Sequence, residues 1–296
     1  MGNTERALVM DTAPAPTRPI LRWHGGKWLL APWIIAQFPP HRVYVEPFGG
    51  AWSVGFRKPR AAAEVWNDLD AELVNLFGVL RDTDGSSRLT AALRLTPFAR
   101  DEFYRAYELA GCAVERARRL IVRSFMGHGS DGASGQYRTG FRANSNRSGS
   151  PPAVDWTNLP DSLDLAVARL RGVVIESRPA MQVMAAHDGP DTLHYVDPPY
   201  LAETRARAHR RADNGGVYRH ELSDDDHAEL LAFLDKLRGM VVLSGYPSPI
   251  YDRALQGWLR IDRAARADGA LPRTECIWLN PSCASRRPSP DLLATA

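Results

Sequence analysis

Seven short apolar runs recur along the chain, at Val43–Glu46, Glu64–Asn67, Val173–Glu176, Leu193–Asp197, Met240–Ser244, Leu259–Arg263 and Glu275–Leu279. They alternate with helix-length amphipathic stretches, and that alternation predicts an α/β fold with a largely parallel sheet. Helices are expected over Lys27–Gln37, Ala71–Arg81, Arg100–Ala110, Glu115–Phe125, Met181–Ala186 and Asp224–Leu237. In the last, Ser223 caps the start, and Leu230, Leu231, Leu234 and Leu237 make the apolar face. At 296 residues the chain is about twice a typical domain of roughly 150.

The pattern breaks between about 82 and 170. That stretch holds no convincing strand, two helical stretches, and then a polar segment, Gly127–Pro152, rich in Gly, Ser, Asn and Arg. A structureless loop of such length is improbable inside a compact domain, so 82–170 reads as an inserted module or binding element. Charge agrees: residues 81–150 carry twelve arginines against seven acids, an excess of five, while the whole chain has a net charge of only +3. The rest of the chain is therefore slightly acidic. Of the 37 basic residues only Lys27, Lys58 and Lys236 are lysines, which draws attention to each.

Other classes fall away on composition. An apolar share of 44% excludes a disordered or collagen-like chain. Cys112, Cys276 and Cys283 lack CxxC spacing and sit in no ligand pattern, so they are expected to be reduced and structural, with no metal site. Residues 1–19 have no signal-like apolar core and read as a flexible lead-in, and no window approaches the roughly 18 apolar residues of a membrane span. The expectation is a soluble, cytoplasmic protein.

Three motifs carry chemistry. The run from Val43 to Trp52, VYVEPFGGAW, places two glycines where a strand hands over to a helix, and there backbone can approach a ligand closely. About twenty residues on, Glu64–Asp68 ends a second strand on an acid, where a βαβ unit can hold ribose hydroxyls. GxGxxG is absent, and tight strand-helix packing with Asp68 as a helix cap explains this pair equally well. The stronger signal is Leu193–Tyr200, an apolar strand ending in Asp-Pro-Pro-Tyr. Two prolines stop the strand and fix the Asp197 carboxylate and the neighbouring carbonyls at the sheet's carboxyl edge, beside the aromatic face of Tyr200. Two acceptors and a stacking ring suit a flat base with an exocyclic amino group, taken out of its helix. Upstream, Leu21–Lys27 puts Gly25, Gly26 and Lys27 at the opening of a helix expected near Trp28, a place suited to an anion.

Taken together and in this order, Trp23-His-Gly-Gly-Lys27, Val45-Glu-Pro-Phe-Gly-Gly50, Asn67-Asp68, Asp197-Pro-Pro-Tyr200 and the strand end Leu243-Ser244 resemble the Dam-type DNA adenine N6-methyltransferases of the D12 class, in the form common in phages and prophages. The resemblance spans most of residues 20–280. It implies a Rossmann-like methyltransferase fold with a seven-stranded, mostly parallel sheet and a helical target-recognition insert. The catalytic domain would comprise 20–81 and 171–280, the insert 82–170, and 281–296 a C-terminal tail. It implies S-adenosyl-L-methionine as cofactor, with Trp23 and Lys27 at its pocket and Lys27 near its carboxylate. Glu46, Phe48, Gly49 and Gly50 would line the methionine side, and Asp68 would hold the ribose. Asp197 and Pro198 would receive the target N6 protons, Tyr200 would stack on the flipped adenine, and Asp197 would also border the cofactor. Where that family commonly has a small residue, this chain has Trp52.

On this reading double-stranded DNA is the partner, with a separate restriction endonuclease as a possible companion and a monomer favoured. Arg138, Arg142, Asn144 and Arg147, interleaved with Tyr137, Phe141 and Asn146, are the candidates for DNA contact, and a second basic stretch, Arg205–Arg211, reads either as a closing loop or as plain surface. The rival readings are an N4-cytosine or RNA adenine methyltransferase, and a DNA-binding protein with decayed activity. Family members acting on cytosine more often carry Ser at the position of Asp197.

Overall fold

The computed structural model describes residues 15–129, 133, 138–143, 149–201, 220–266 and 272–288. Seven strands, β1 (Val43–Glu46), β2 (Ala63–Asn67), β3 (Val173–Glu176), β4 (Thr192–Val196), β5 (Met240–Gly245), β6 (Leu259–Arg266) and β7 (Pro272–Leu279), form one sheet in the order β3-β2-β1-β4-β5-β7-β6. Each expected run is thus a strand. The first five are parallel, and β7 lies antiparallel between β5 and β6. The chain winds outward from β1 through β2 to β3, then returns to β4 on the other side of β1. Ligands of open α/β sheets bind outside the carboxyl ends of the strands at such a reversal, here between β1 and β4.

The helices are α1 (Ala31–Ile35), α2 (Ala71–Arg81), α3 (Thr83–Leu95), α4 (Arg100–Arg105), α5 (Ala113–Met126), α6 (Pro152–Thr157), α7 (Leu159–Leu170), α8 (Ala180–His187), α9 (Asp224–Leu234), α10 (Pro249–Ala254) and α11 (Pro281–Arg286). The Ser223 cap of α9 is present, as a reciprocal box with Asp226. The first helix starts later than expected. Leu30 and Ala31 both donate their backbone N–H to the Lys27 carbonyl, so 27–30 form turns and Lys27 precedes the helix proper. Helices α3, α6 and α7 were not expected. In α3 the polar opening TDGSS hides a face carried only by Leu89 and Leu93, four residues apart and both buried; Asp82 starts it by accepting from the Gly85 N–H. Residues 281–286, expected as tail, form α11 with Cys283 in the core, capped by the Asn280 carboxamide, which accepts from both Cys283 N and Val241 N.

One continuous apolar cluster runs from β2 through α2, α3, α5 and α7 and includes Trp66, Phe77, Leu89, Leu93, Leu120, Ile121, Leu163 and Leu170. The helices of 82–170 therefore share their core with one face of the sheet. At its rim lies a buried ionic group. Glu64 of β2 accepts from Lys58 at 2.8 Å and from Arg169 of α7 at 2.9 Å, and Arg169 also donates to the Gly55 carbonyl. Burial pushes the Glu64 carboxyl up, but the Arg169 and Lys58 bonds override it and hold it below the usual carboxylate range. The Arg169 guanidinium covers the indole of Trp52, 4.8 Å from the ring centre. Trp52 itself is fully buried and takes a left-handed φ of 54°, a rare conformation for a large side chain, and it fills core beneath the glycine turn.

Candidate active site

The turn after β1 is held by β2. The Asn67 carboxamide donates to the Pro47 and Arg178 carbonyls and accepts from the Arg178 N–H, tying together the loops that follow β1, β2 and β3. Gly49 donates to the Asn67 carbonyl at 2.7 Å, and the Trp66 indole N–H donates to the Gly50 carbonyl. Here both glycines are required. A Cβ at Gly49 would sit 2.2 Å from Trp66 Nε1, and Trp66 cannot give way because it is stacked on Phe77 at 4.2 Å with ring planes 11° apart; Gly50 has a φ of 49°. The Trp23 indole lies against Gly50. Asp68 Oδ2 accepts the Gly50 N–H and Oδ1 the Asp70 N–H, each at 2.8 Å. Asp70, and not Asp68, caps α2. Burial pushes the Asp68 carboxyl up to about 6 against these two backbone bonds. A Gly49→Ala variant is expected to lose stability by about 2–3 kcal/mol through this clash and to bind ligand poorly; chemical denaturation and equilibrium binding measure both.

At the end of β4 the Asp197 carboxylate meets Lys27. The Lys27 ammonium lies 2.9 Å from Asp197 Oδ2, donates to the Gly25 carbonyl, and stands 4.7 Å from the centre of the Tyr200 ring. The anion that the Gly-Gly-Lys turn meets is thus the chain's own carboxylate. Asp197 Oδ1 is shielded from solvent and has no hydrogen-bond partner. Burial raises the Asp197 pKa, while Lys27 and then the Tyr200 hydroxyl pull it back. The Tyr200 hydroxyl donates to Glu275 of β7 at 3.1 Å, and its ring meets Tyr246 edge-on, centroids 4.6 Å apart. Deeper, Glu46 accepts from the Tyr44 hydroxyl; burial pushes its carboxyl up to about 8, so it is largely protonated at neutral pH.

These groups border one cavity of about 940 Å³, counting its open mouth, at the β1/β4 reversal. Trp23, Lys27, Glu46, Phe48, Gly49, Gly50, Asp68, Asp197 and Pro198 all line it, so every expected cofactor residue comes together there. Tyr200 flanks it through Lys27 and Asp197, and Trp52 is not among its lining residues. His220 and Leu222 also line the cavity, and sequence reasoning missed Leu222 together with Tyr246 and Glu275, which hold Tyr200. Tyr246 was findable, since it follows a carboxyl strand end as Tyr200 does. Glu275 gave no signal, because its place depends on β7 running backwards.

The expected DNA-contacting residues divide. Gly127 and Phe141 pair as an antiparallel bridge, with His128 donating to Gly140 and Arg142 to Met126, so 126–128 and 140–142 meet at one point. That point adjoins the cavity: the Arg22 N–H donates to Ser124 Oγ and the Arg22 guanidinium reaches the Gly127 carbonyl, one residue from Trp23. Phe141 packs against Phe98 and Phe103 and anchors the segment. Arg138 is exposed, with its guanidinium 5.6 Å from the centre of the Tyr107 ring, and Arg142 is partly buried. Asn144 and Arg147, with Tyr137, Asn146 and Arg205–Arg211, lie outside the described residues. Much of the insert's arginine is already engaged: Arg116 pairs with Glu72, Arg118 with Glu102 and Glu115, and Arg119 with Glu115.

A seven-stranded, mostly parallel sheet with this cavity at its reversal and an acid, a glycine turn and a Pro-Pro-terminated strand around it is a Rossmann-like methyltransferase fold. Residues 23–250 match the model of the D12 class N6 adenine-specific DNA methyltransferases, and the chain belongs to that family. A DNA adenine methylase of Serratia marcescens is 32% identical to it over 107 residues, which are 36% of this chain and 39% of that relative. Among the described residues no helix is long and apolar enough to cross a membrane.

Proposed function

We propose that this protein transfers a methyl group from S-adenosyl-L-methionine to N6 of an adenine flipped out of double-stranded DNA. The observation that carries the proposal is Asp197 Oδ1, a shielded and unpartnered acceptor, in the same cavity as the glycine turn and Asp68. The residues present fit the cofactor. The cavity lies at the carboxyl ends of the parallel strands, where open α/β sheets bind nucleoside ligands. Asp68 retains acceptor capacity for a ribose diol beyond its two backbone bonds, and Gly49 and Gly50 let backbone approach closely. Glu46 offers a hydrogen-bonding carboxyl and Phe48 a ring to the methionine end. S-adenosyl-L-methionine, when bound, supplies an electrophilic methyl group on a sulfonium.

The chain's own work concerns the base. The N6 lone pair is delocalised into the purine and is a poor nucleophile. Asp197 Oδ1 and the Pro198 carbonyl accept the two N6 protons, localise that lone pair and stabilise the positive charge that grows on nitrogen. Lys27, 2.9 Å from Asp197 Oδ2, opposes the effect of burial and favours the ionised, accepting form of Asp197. The Tyr200 ring stacks on the base and offsets part of the few kcal/mol that extrusion costs. Stacking and strand-end geometry hold the nucleophile in line, which supplies much of the rate. The proton lost from N6 leaves to solvent. Residues 82–170 recognise the target, with Arg138, Arg142, Asn144 and Arg147 as its DNA contacts; the bond from Arg22, beside Trp23, to Gly127 of the Gly127–Phe141 bridge supports this reading. Acting on double-stranded DNA places the protein in the bacterial cytosol or a phage-infected host.

Equilibrium binding of S-adenosyl-L-methionine tests the reading. One site is expected, and Asp68→Ala weakens it by about 10–100-fold, the worth of charge-assisted hydrogen bonds. Because Asp68 protonates near 6, wild-type affinity should also fall as pH drops below that value, and the Asp68→Ala variant should lack this dependence. Absence of binding, or an Asp68→Ala variant that binds as tightly, contradicts the assignment.

A further inference from the structure

The Tyr200 hydroxyl lies where two carboxylates compete for one proton. It donates to Glu275 Oε2 at 3.1 Å, and it also lies within hydrogen-bonding reach of Asp197, whose pKa that contact lowers. A phenol has a single proton to donate. Committed to Glu275, that proton leaves Asp197 Oδ1 without a partner, as it is. Turned toward Asp197, it would occupy the acceptor that an incoming N6 proton needs.

The fold makes this arrangement specific. Gly245 of β5 pairs with Cys276 of the antiparallel β7, so Glu275 emerges beside Tyr246, at the same carboxyl edge as Asp197. Its side chain is almost wholly buried. Tyr246 lies edge-on to Tyr200, and its hydroxyl, pushed well up by burial, by the Glu275 charge and by a hydrogen bond to it, belongs to the same group. The Arg273 guanidinium lies 5.1 Å from the centre of the Tyr246 ring. One carboxylate thus engages the hydroxyls of two rings that stand against each other at the base side of the cavity.

We propose that Glu275 is a positioning residue for methyl transfer: by capturing the Tyr200 hydroxyl it fixes the stacking ring and keeps Asp197 Oδ1 free to accept from the target amine. This rests on the roles proposed above for Tyr200 and Asp197. Glu275 itself touches neither reacting atom.

The test is a double-mutant cycle on the full-length protein, read by single-turnover methylation and by fluorescence of 2-aminopurine placed at the target base. Glu275→Ala is expected to lower the single-turnover rate about 10–100-fold, the worth of a charge-assisted hydrogen bond, with S-adenosyl-L-methionine affinity unchanged. Glu275→Gln, which keeps an acceptor, should recover most of that rate. In the Glu275→Ala background, Tyr200→Phe removes the competing donor and should raise the rate, although Tyr200→Phe alone lowers it. Additive losses in the cycle, or a Glu275→Gln variant as slow as Glu275→Ala, would overturn the inference. Tyr200→Ala separates this from the underlying reading: if it leaves both rate and fluorescence intact, the stacking role fails, whereas a Tyr200→Ala defect with an unaffected Glu275→Ala variant overturns the Glu275 role alone.

Discussion

In an Asp197→Ala variant, methyl transfer to adenine is expected to fall by about 10²–10³-fold in kcat, the loss typical when one preorganised polar group at a reacting centre is removed. DNA affinity should stay close to that of the unaltered protein, because the expected phosphate contacts lie in the insert and not at the strand end. The fold should persist as well. Asp197 is an acid whose burial disfavours its charge, and Lys27 keeps the Gly25 carbonyl as a partner when the carboxylate goes. Asp197→Asn, which keeps one carbonyl acceptor, should lose less. Single-turnover methylation beside a DNA-binding titration reads the two effects separately, and an Asp197→Ala variant that methylates at the original rate contradicts the acceptor role.

Glu64→Ala is expected to produce the largest change in stability, about 3–5 kcal/mol, because it strips the carboxylate from two buried cations. Lys58 and Arg169 would keep only the Pro59 and Gly55 carbonyls. Since the folded-state pKa of Glu64 is depressed, its contribution is present above the ordinary 4.5 and is lost as pH falls through and below that value. Urea denaturation at pH 7 and at pH 4 should therefore show a smaller difference between wild type and Glu64→Ala at the lower pH. Replacing Lys58, Glu64 and Arg169 together by apolar residues should recover most of the loss, as whole buried ionic groups often contribute little net stability. An undiminished difference at pH 4 would refute the ionic account. Because Arg169 ends α7 and its partners Gly55 and Trp52 lie behind the glycine turn, the same variant should also weaken ligand binding.

The sheet was legible because its central strands β1, β4 and β5 are buried on both faces and read as plain apolar runs. The site was legible for a related reason: Gly49, Gly50, Asp68 and Asp197–Tyr200 sit at strand ends, where local sequence fixes backbone. Tertiary context decided what was missed. Helix α3 is half polar and holds its place through Leu89, Leu93 and the Asp82 cap, too thin a stripe to stand out. The arginine excess of 81–150 suggested a DNA-facing surface, yet Arg116, Arg118 and Arg119 are bound to acids, and a charge count cannot separate the two uses. Trp52 sits against the glycine turn in sequence but points into the core in space, which depends on a left-handed backbone that no local pattern announces. Lys27, singled out by the scarcity of lysine, does reach the cavity, where its partner is Asp197.

The most direct test of the account is to incubate the purified protein with methyl-labelled S-adenosyl-L-methionine and mixed-sequence double-stranded DNA, digest the DNA to nucleosides, and identify which one carries the label. N6-methyladenine is the expected labelled nucleoside. Label on N4 of cytosine, or no label in DNA from a protein that binds it, would contradict it.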